Sequence, residues 1–580
     1  MTGSRHREQP LRRRRTAWKG AVVLAIGALI LPATAFLGCG APGGASPPSA
    51  PEKSTPAALF EETAAESGLH YRWEIPGSRP LNILQTIGNG CAFLDYDNDG
   101  DLDILLVGPK LALYRGDGKG HFTDVTSTVG LDRFTGHFLG CAVGDVDSDG
   151  FDDLYISGYR TGLLLHNSQG HRFEDITQST GLKPQPWGTS CAFAETTPGS
   201  GRLDLYVGNY VAFGPEMPQL CTESGVKTSC GPRYYTPLRG VFYRNDGHGH
   251  FTESTHQSGA ATASGRTLGV AFADFDASGR PGLALANDEI QGDLLQPGKY
   301  SPALYQNVAL VAGTALDRDG NVHGGMGEDW GDYDNDGRLD LFVATFAGES
   351  KSLYHNEGES HFIDRGIATG IGQPTAPFVA FGCKFLDYDN DGRLDLIIAN
   401  GHVQDNAEQV DHSASYRQSL QLFHNGGGPD AVAFEDVSTL CGQEARRPIV
   451  GRGLAVGDFD NDGRQDVLVV DAEGVPLLLH NRREQAGHWL GIRLIGDKSN
   501  RDGYGAVLTA ECAGRRLVQQ CQTDGSYLSA SDRRVHFGLG AAAQIEKLSV
   551  QWPSGHTDVY SNLSADRYIT LREGVPHPLP

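Results

Sequence analysis

Five stretches of the chain place aspartates at alternate positions around a glycine. They begin at Asp95 (DYDNDGDLD), Asp145 (DVDSDGFDD), Asp332 (DYDNDGRLD), Asp387 (DYDNDGRLD) and Asp458 (DFDNDGRQD). Carboxylates at positions 1, 3, 5 and 9, with the backbone carbonyl of position 7, can converge on one hard cation, and the glycine permits the sharp turn. The side chains concerned are Asp95, Asp97, Asp99 and Asp103; Asp145, Asp147, Asp149 and Asp153; Asp332, Asp334, Asp336 and Asp340; Asp387, Asp389, Asp391 and Asp395; and Asp458, Asp460, Asp462 and Asp466. The position-7 carbonyls belong to Asp101, Phe151, Arg338, Arg393 and Arg464. Oxygen-only ligands favour calcium over zinc or copper, so about five calcium sites are expected. Without a counter-ion, four such neighbours repel one another strongly. Two degenerate copies lie between the intact ones, ETTPGSGRLD from Glu195 and DFDASGRPG from Asp274. Glu195 has no carboxylate partners, so no metal is expected there. The Asp274 loop carries Ser278 and ends in Gly282, which leaves at best a weak site.

The positioning elements repeat with these loops. Each is preceded by a short apolar strand (GCAFL, GCAVG, GVAFA, GCKFL, GLAVG) and followed by another (ILLVG, LYVGN, LFVAT, LIIAN). Two further strands around a polar turn follow, as in LYRGDGKGHF, LLHNSQGHRF and LYHNEGESHF. A four-stranded meander with loop starts 50–79 residues apart, seven times over, predicts a seven-bladed β-propeller. The seventh unit lacks a fourth strand after Leu477–His480. The segment from Phe60 to Thr63 has the missing pattern and is expected to close that blade, which removes exposed edges.

Strand direction then assigns the faces. The acidic loops share one face. The long insertions at 209–239, 287–302, 308–325 and 401–419 lie on the opposite rim, where binding usually resides. Candidate ligand contacts there are Tyr210, Phe213, Tyr234, Tyr235, Asn287, Asp288, Phe346, Asn400 and His402. On the innermost strands, Asp329 and Lys384 replace the alanine usual three residues before the loop, and an ion pair between them is expected.

The repeats closely resemble the FG-GAP/VCBS family, known from the calcium-bearing seven-bladed heads of integrin alpha chains, over roughly residues 60–480. From His488 to Gly555, the motifs HWLGIRLIG, SNRDGYGA, GSYLSASDRRVHFGLG and VQWPSG resemble the ASPIC/UnbV module that follows such repeats in the cartilage-acidic-protein-like bacterial family. Alternating apolar residues (Leu490, Ile492, Leu494; Leu548, Val550, Trp552) predict a small β-sandwich or barrel. The fold class is therefore all-β, with a propeller over 57–482 and a second domain over 483–575.

Composition fits an exported protein. Of 580 residues, 1–38 hold seven bases and one acid, which leaves 41 bases against 70 acids, a net −29. No basic footprint for nucleic acid exists in such a chain. Arg12–Arg15 and Lys19 precede an apolar run of eleven from Ala21 to Leu31, a signal-peptide pattern too short to span a bilayer. Phe36-Leu37-Gly38-Cys39 resembles a lipoprotein box, with Cys39 the lipidated residue closing segment 1–39; plain secretion or a periplasmic form is the alternative. A Gly/Pro/Ser tether follows over 40–56. Cys91, Cys141, Cys191 and Cys383 each stand four residues before a loop and are expected to be small buried hydrophobes. Cys221 with Cys230 and Cys512 with Cys521 are expected disulfides; Cys441 is left over.

The reading is an exported, calcium-stabilised, non-catalytic scaffold that binds an extracellular or periplasmic protein or glycan, with membrane contact only through the lipid. The alternative is an enzyme working at the channel mouth through His402 and nearby acids, a biosynthetic role such as UnbV relatives imply.

Overall fold

The computed structural model describes residues 58–299, 304–427, 433–484 and 486–579. The expected signal segment, Cys39 and the tether lie outside the described residues. Among the described residues the architecture is all-β, with only single-turn helices, and no helix there is long and apolar enough to cross a membrane.

Five antiparallel four-stranded meanders and one seven-stranded sheet account for the acidic-loop repeats. The seven-stranded sheet joins two repeats edge to edge, where Tyr159 pairs with Trp187 and Thr161 with Gln185. In each repeat the acidic loop connects the first two strands, as between Cys91–Leu94 and Asp103–Leu106. First strands are buried along their whole length, apart from Pro186 in the third repeat. Such strands must be apolar or small on both faces, which is why Gly, Ala and Cys recur in them. Cys91, Cys141, Cys191 and Cys383 are all buried there, free of disulfides. The last repeat is completed by the N-terminal strand Phe60–Glu62, which pairs with Leu477–Asn481 in the register Phe60↔Asn481. Successive first strands touch one another along the chain, and the last, Gly451–Gly457, touches the first, Cys91–Leu94.

The C-terminal region forms two sheets. One orders Val535–Gly540, His488–Ile495 and Arg567–Arg572; the other orders Arg515–Gln520, Val507–Cys512, Gln544–Gln551 and Thr557–Ser564. Leu490, Ile492, Leu508, Leu548, Val550 and Trp552 fill the space between them, and this core runs on without a break into Phe193, Leu203 and Leu205 of the third repeat. The two regions therefore share one core.

The disulfide expected between Cys512 and Cys521 is not formed, whereas that between Cys221 and Cys230 is. Register is the reason. The hairpin pairs Cys512 with Arg515 at its tip and Val507 with Gln520 at its base. Cys521 lies beyond the base, opposite Ala506 and roughly 20 Å along the ladder from Cys512 at ~3.4 Å per residue.

Candidate functional site

The acidic turns share one local construction. In four of the five, both oxygens of the first aspartate accept loop amides: Asp145 from Asp149 (3.1 Å) and Gly150 (2.7 Å), Asp332 from Asp336 and Gly337, Asp387 from Asp391 and Gly392, Asp458 from Asp462 and Gly463. The ninth carboxylate accepts the amide of position 2, as Asp395 does from Tyr388 at 3.2 Å. The fifth accepts the amide of position 7, as Asp149 does from Phe151, Asp336 from Arg338, Asp391 from Arg393 and Asp462 from Arg464. These bonds hold the loop closed and turn its remaining oxygens toward one point.

A histidine that the loop pattern does not contain joins them. His166, His355 and His424 on the third strands each bring Nδ1 to 3.1 Å from the ninth aspartate (Asp153, Asp340, Asp395). His480 brings Nε2 to 2.9 Å from Asp460. Compact groups result: Asp147, Asp153 and His166; Asp334, Asp340 and His355; Asp389, Asp395 and His424; Asp460, Asp462 and His480; and, in the first loop, Asp95, Asp97 and Asp99. Arg115 takes the histidine's place in that first loop, 2.6 Å from both Asp97 and Asp99. The signal is present in the sequence as the recurring LLHN, LYHN and LFHN at the end of the third strands.

The electrostatics are those of crowded acids. Burial, with the charge of Asp502, pushes Asp145 up to about 8. Burial and the neighbouring Asp340 and Asp336 push Asp332 up to about 8. Burial pushes Asp395 up to about 7 against the lowering bond from His424. The hydrogen bond to Asp153 pushes His166 up to about 9. Oδ1 of Asp95, Asp97, Asp389 and Asp460 is buried without a hydrogen-bond partner. A buried carboxylate oxygen left unpaired is costly, and a divalent cation would remove that cost. The donor set therefore fits a hard cation, held in three loops by aspartates 3 and 9 with an imidazole beside them, in the last by aspartates 3 and 5 with an imidazole, and in the first by aspartates 1, 3 and 5. Asp204, Glu195 and Asn500 show the contrast in the third repeat, where Glu195 Oε2 accepts the Asn500 amide at 2.7 Å and the turn is closed by protein alone.

The C-terminal sheets stand on this acidic-loop side. Arg515 donates to the Asp391 carbonyl at 2.6 Å, Arg534 to that of Asp458 at 2.7 Å, and Arg493 to Oδ1 of Asn98 at 2.8 Å. From there the segment 523–532 runs along the first strands of all seven repeats. Its bonds reach Cys91 and Phe93 (Ala530), Cys141 (Leu528), Ser190 (Leu528), Phe272 (Asp524), Glu328 (Ser526), Cys383 (Ser526) and Val456 (Ser531). The expected pair is present, with Lys384 Nζ 2.6 Å from Asp329 Oδ1. The same ammonium donates to the Asp524 carbonyl of the insert.

At the other sheet edge, Tyr527 and Leu528 of the insert end in an apolar cluster with Ile87, Leu268, Met326 and Phe381. Above it lies a cavity of about 180 Å³. Of the candidate rim residues, Tyr210, Asp288 and Phe346 line it. Tyr210 donates its hydroxyl to Asp288 Oδ2, and burial pushes the Asp288 carboxyl up to about 7. Asn287 and Asn400 are buried and spend their amides on strand ends (Gln291, Ser419). Tyr235 donates to the Pro218 carbonyl, and Phe213 packs on it. Tyr234 is exposed outside the cavity. His402 is buried against Phe346, its Nδ1 accepting the Gln404 amide, and burial followed by the Arg452 charge pushes it down to about 4. Glu223, Glu289 and Glu349 also line the cavity and were not foreseen; the Asp288-Glu289 pair was the available hint.

Comparison with known proteins agrees with this division. Models of the FG-GAP-like repeat match residues 95–156, 332–398 and 387–469, and that of ASPIC and UnbV matches 496–577. The chain is 25% identical over 523 residues to cartilage acidic protein 1 of Xenopus tropicalis, covering 84% of this chain and 74% of that one. It is 24% identical over 400 residues to cartilage acidic protein 1 of Mus musculus, covering 66% of this chain and only 54% of the relative, about half its length. Among solved structures, an Agrocybe aegerita lectin recognising non-reducing terminal N-acetylglucosamine aligns at TM-score 0.37 and 14% identity, over 66% of this chain and 86% of the lectin. The Niastella koreensis GH74 enzyme aligns at TM-score 0.37 and 11% identity, over 87% of this chain and 70% of the enzyme. Likenesses this low decide nothing about the present chain.

Proposed function

The chain carries FG-GAP-like repeats followed by an ASPIC and UnbV domain, and from that premise we propose an exported, calcium-binding, non-catalytic β-propeller scaffold that recognises a protein or glycan. The repeats are read as seven blades in a closed ring. Support comes from the first strands, which touch in sequence and return to their start, and from the N-terminal strand completing the last repeat.

The observation that carries the calcium reading is the set of close acidic groups in all five turns, with a buried, unpartnered carboxylate oxygen in three of them (Asp95 and Asp97, Asp389, Asp460). Asp147 and Asp153, Asp334 and Asp340, Asp389 and Asp395, and Asp460 and Asp462 would hold the ion, with the first-loop aspartates as the fifth site. Bound calcium supplies the positive charge that His166 otherwise brings as a proton, so binding releases that proton. The ions stiffen one face, and the domain seated on it sends its insert through the ring. The opposite rim is left for recognition, and Cys39 is the proposed lipid anchor.

A screen of the protein against glycans and envelope or secreted proteins, with calcium and with chelator, tests the reading. A binder retained in calcium and released by chelator is expected. Turnover of a screened compound, lost in His402→Ala, would replace the scaffold with an enzyme.

A further inference from the structure

We propose that the rim cavity is a binding site for a primary ammonium group carried on an apolar stem. This deepens the scaffold reading and rests on it for the choice of face.

The cavity pairs an apolar floor with acidic walls. Leu268, Met326 and Phe381 lie beneath it, with Phe346 at the side. Asp288, Glu223, Glu289 and Glu349 supply four carboxylates, and Arg233 is the only base among its lining residues. Arg233 reaches only Glu289, at 4.0 Å, and its side chain is largely exposed. The other cations packed nearby are committed elsewhere. Lys351 donates to the carbonyls of Phe346, Glu349 and Phe378. Arg266 donates to those of Glu289 and Tyr235. Arg452 lies over the Phe381 ring and donates to Thr86, Gly401, Gly451 and His402.

Asp288 points to the ligand. Its residue is only 9% exposed, Oδ2 accepts the Tyr210 hydroxyl, and Oδ1 has no hydrogen-bond partner among the described residues. Glu349 likewise spends only Oε2, on the amides of Gly324 (3.0 Å) and Phe346 (3.2 Å). A carboxylate on a nearly buried residue, with one oxygen free on the cavity wall, is ready to accept a donor, and a charged donor satisfies it best. The surrounding acids repel an anion, and the floor favours an alkyl or aryl stem over bare metal or water.

Titration of the full chain in calcium buffer with phenethylamine, phenethyl alcohol and phenylacetate tests this, read by calorimetry and ligand-observed NMR. The amine should bind at least tenfold more tightly than the alcohol, with no saturable binding of the acid. Asp288→Asn should weaken the amine tenfold or more. Because Asp288 also holds Tyr210, the surface double variant Glu223→Gln/Glu289→Gln is read alongside, with a threefold or greater loss expected and an unchanged melting curve. Nα-acetyl-lysine methylamide, run as a competitor, assigns the site to a partner's lysine if it displaces phenethylamine and to a free amine if it does not. Equal affinity for amine and alcohol, no amine binding, or full affinity in both variants overturns the proposal. Failure here leaves the calcium response of the scaffold standing, and loss of that response with amine binding intact removes the scaffold reading instead.

Discussion

Lys384 Nζ lies 2.6 Å from Asp329 Oδ1 and 2.8 Å from the carbonyl of Asp524, so one buried ammonium ties two neighbouring repeats to the C-terminal insert. The other oxygen of Asp329 accepts the Phe385 amide at 2.8 Å, and both side chains are almost wholly enclosed. Every polar atom of the pair is used.

Breaking that pair from one side should therefore be costly. Lys384→Met leaves Asp329 as an uncompensated buried charge and should destabilise the chain by about 3–5 kcal/mol, with Lys384→Met/Asp329→Asn recovering part of the loss. Denaturant unfolding of the two single variants and the double closes the cycle. A Lys384→Met loss below about 1 kcal/mol would show the pair to be solvated.

The insert gives a second expectation. Leu528 is fully buried, with its amide on Ser190 and its carbonyl on the Cys141 amide. Leu528→Ala should cost about 2–5 kcal/mol by the cavity it leaves, although the residue lies more than 300 positions from the strands it hydrogen-bonds. Thermal melting should show one cooperative transition shifted downward for the whole chain. Two separated transitions would mean that the C-terminal sheets and the repeats are independent bodies.

What the sequence revealed was local or periodic. The acidic turns, the buried cysteines of the first strands, the Cys221–Cys230 closure and the Asp329–Lys384 pair all follow from equivalent positions in a repeat or from short spacing. The insert does not. GSYLSAS is recognisable as a motif, but its partners are mainly backbone amides of distant strands, which no side-chain pattern announces. Cys512 and Cys521 looked like a local pair until the hairpin register set them at opposite ends. On the rim, Asn287, Asn400 and His402 were chosen because polar residues in loops attract notice, yet each turns inward to satisfy backbone groups. Besides Asp288, the acids that line the cavity, Glu223, Glu289 and Glu349, were hidden in an already acidic chain.

His402 yields a pH expectation. Its folded value near 4 lies below the unfolded value of about 6.5. Above about pH 6.5 neither state is protonated and the group contributes nothing. As pH falls from about 6.5 to about 4, the unfolded chain takes a proton that the folded one refuses, so stability is lost. His402→Asn should remove about 1–3 kcal/mol of the decline seen between pH ~7.5 and ~4.5. Unfolding free energies of the two proteins at both pH values check this; parallel declines would place a solvated imidazole there.

Calcium bound per chain, measured together with the melting temperature of the same samples, probes the scaffold at its foundation. The account predicts about five ions, and a Tm raised by roughly 5 °C or more in saturating calcium and reversed by chelator, since each site filled to 100 times its Kd adds about 2.7 kcal/mol. A chain that binds no calcium and melts at the same temperature in chelator would contradict it.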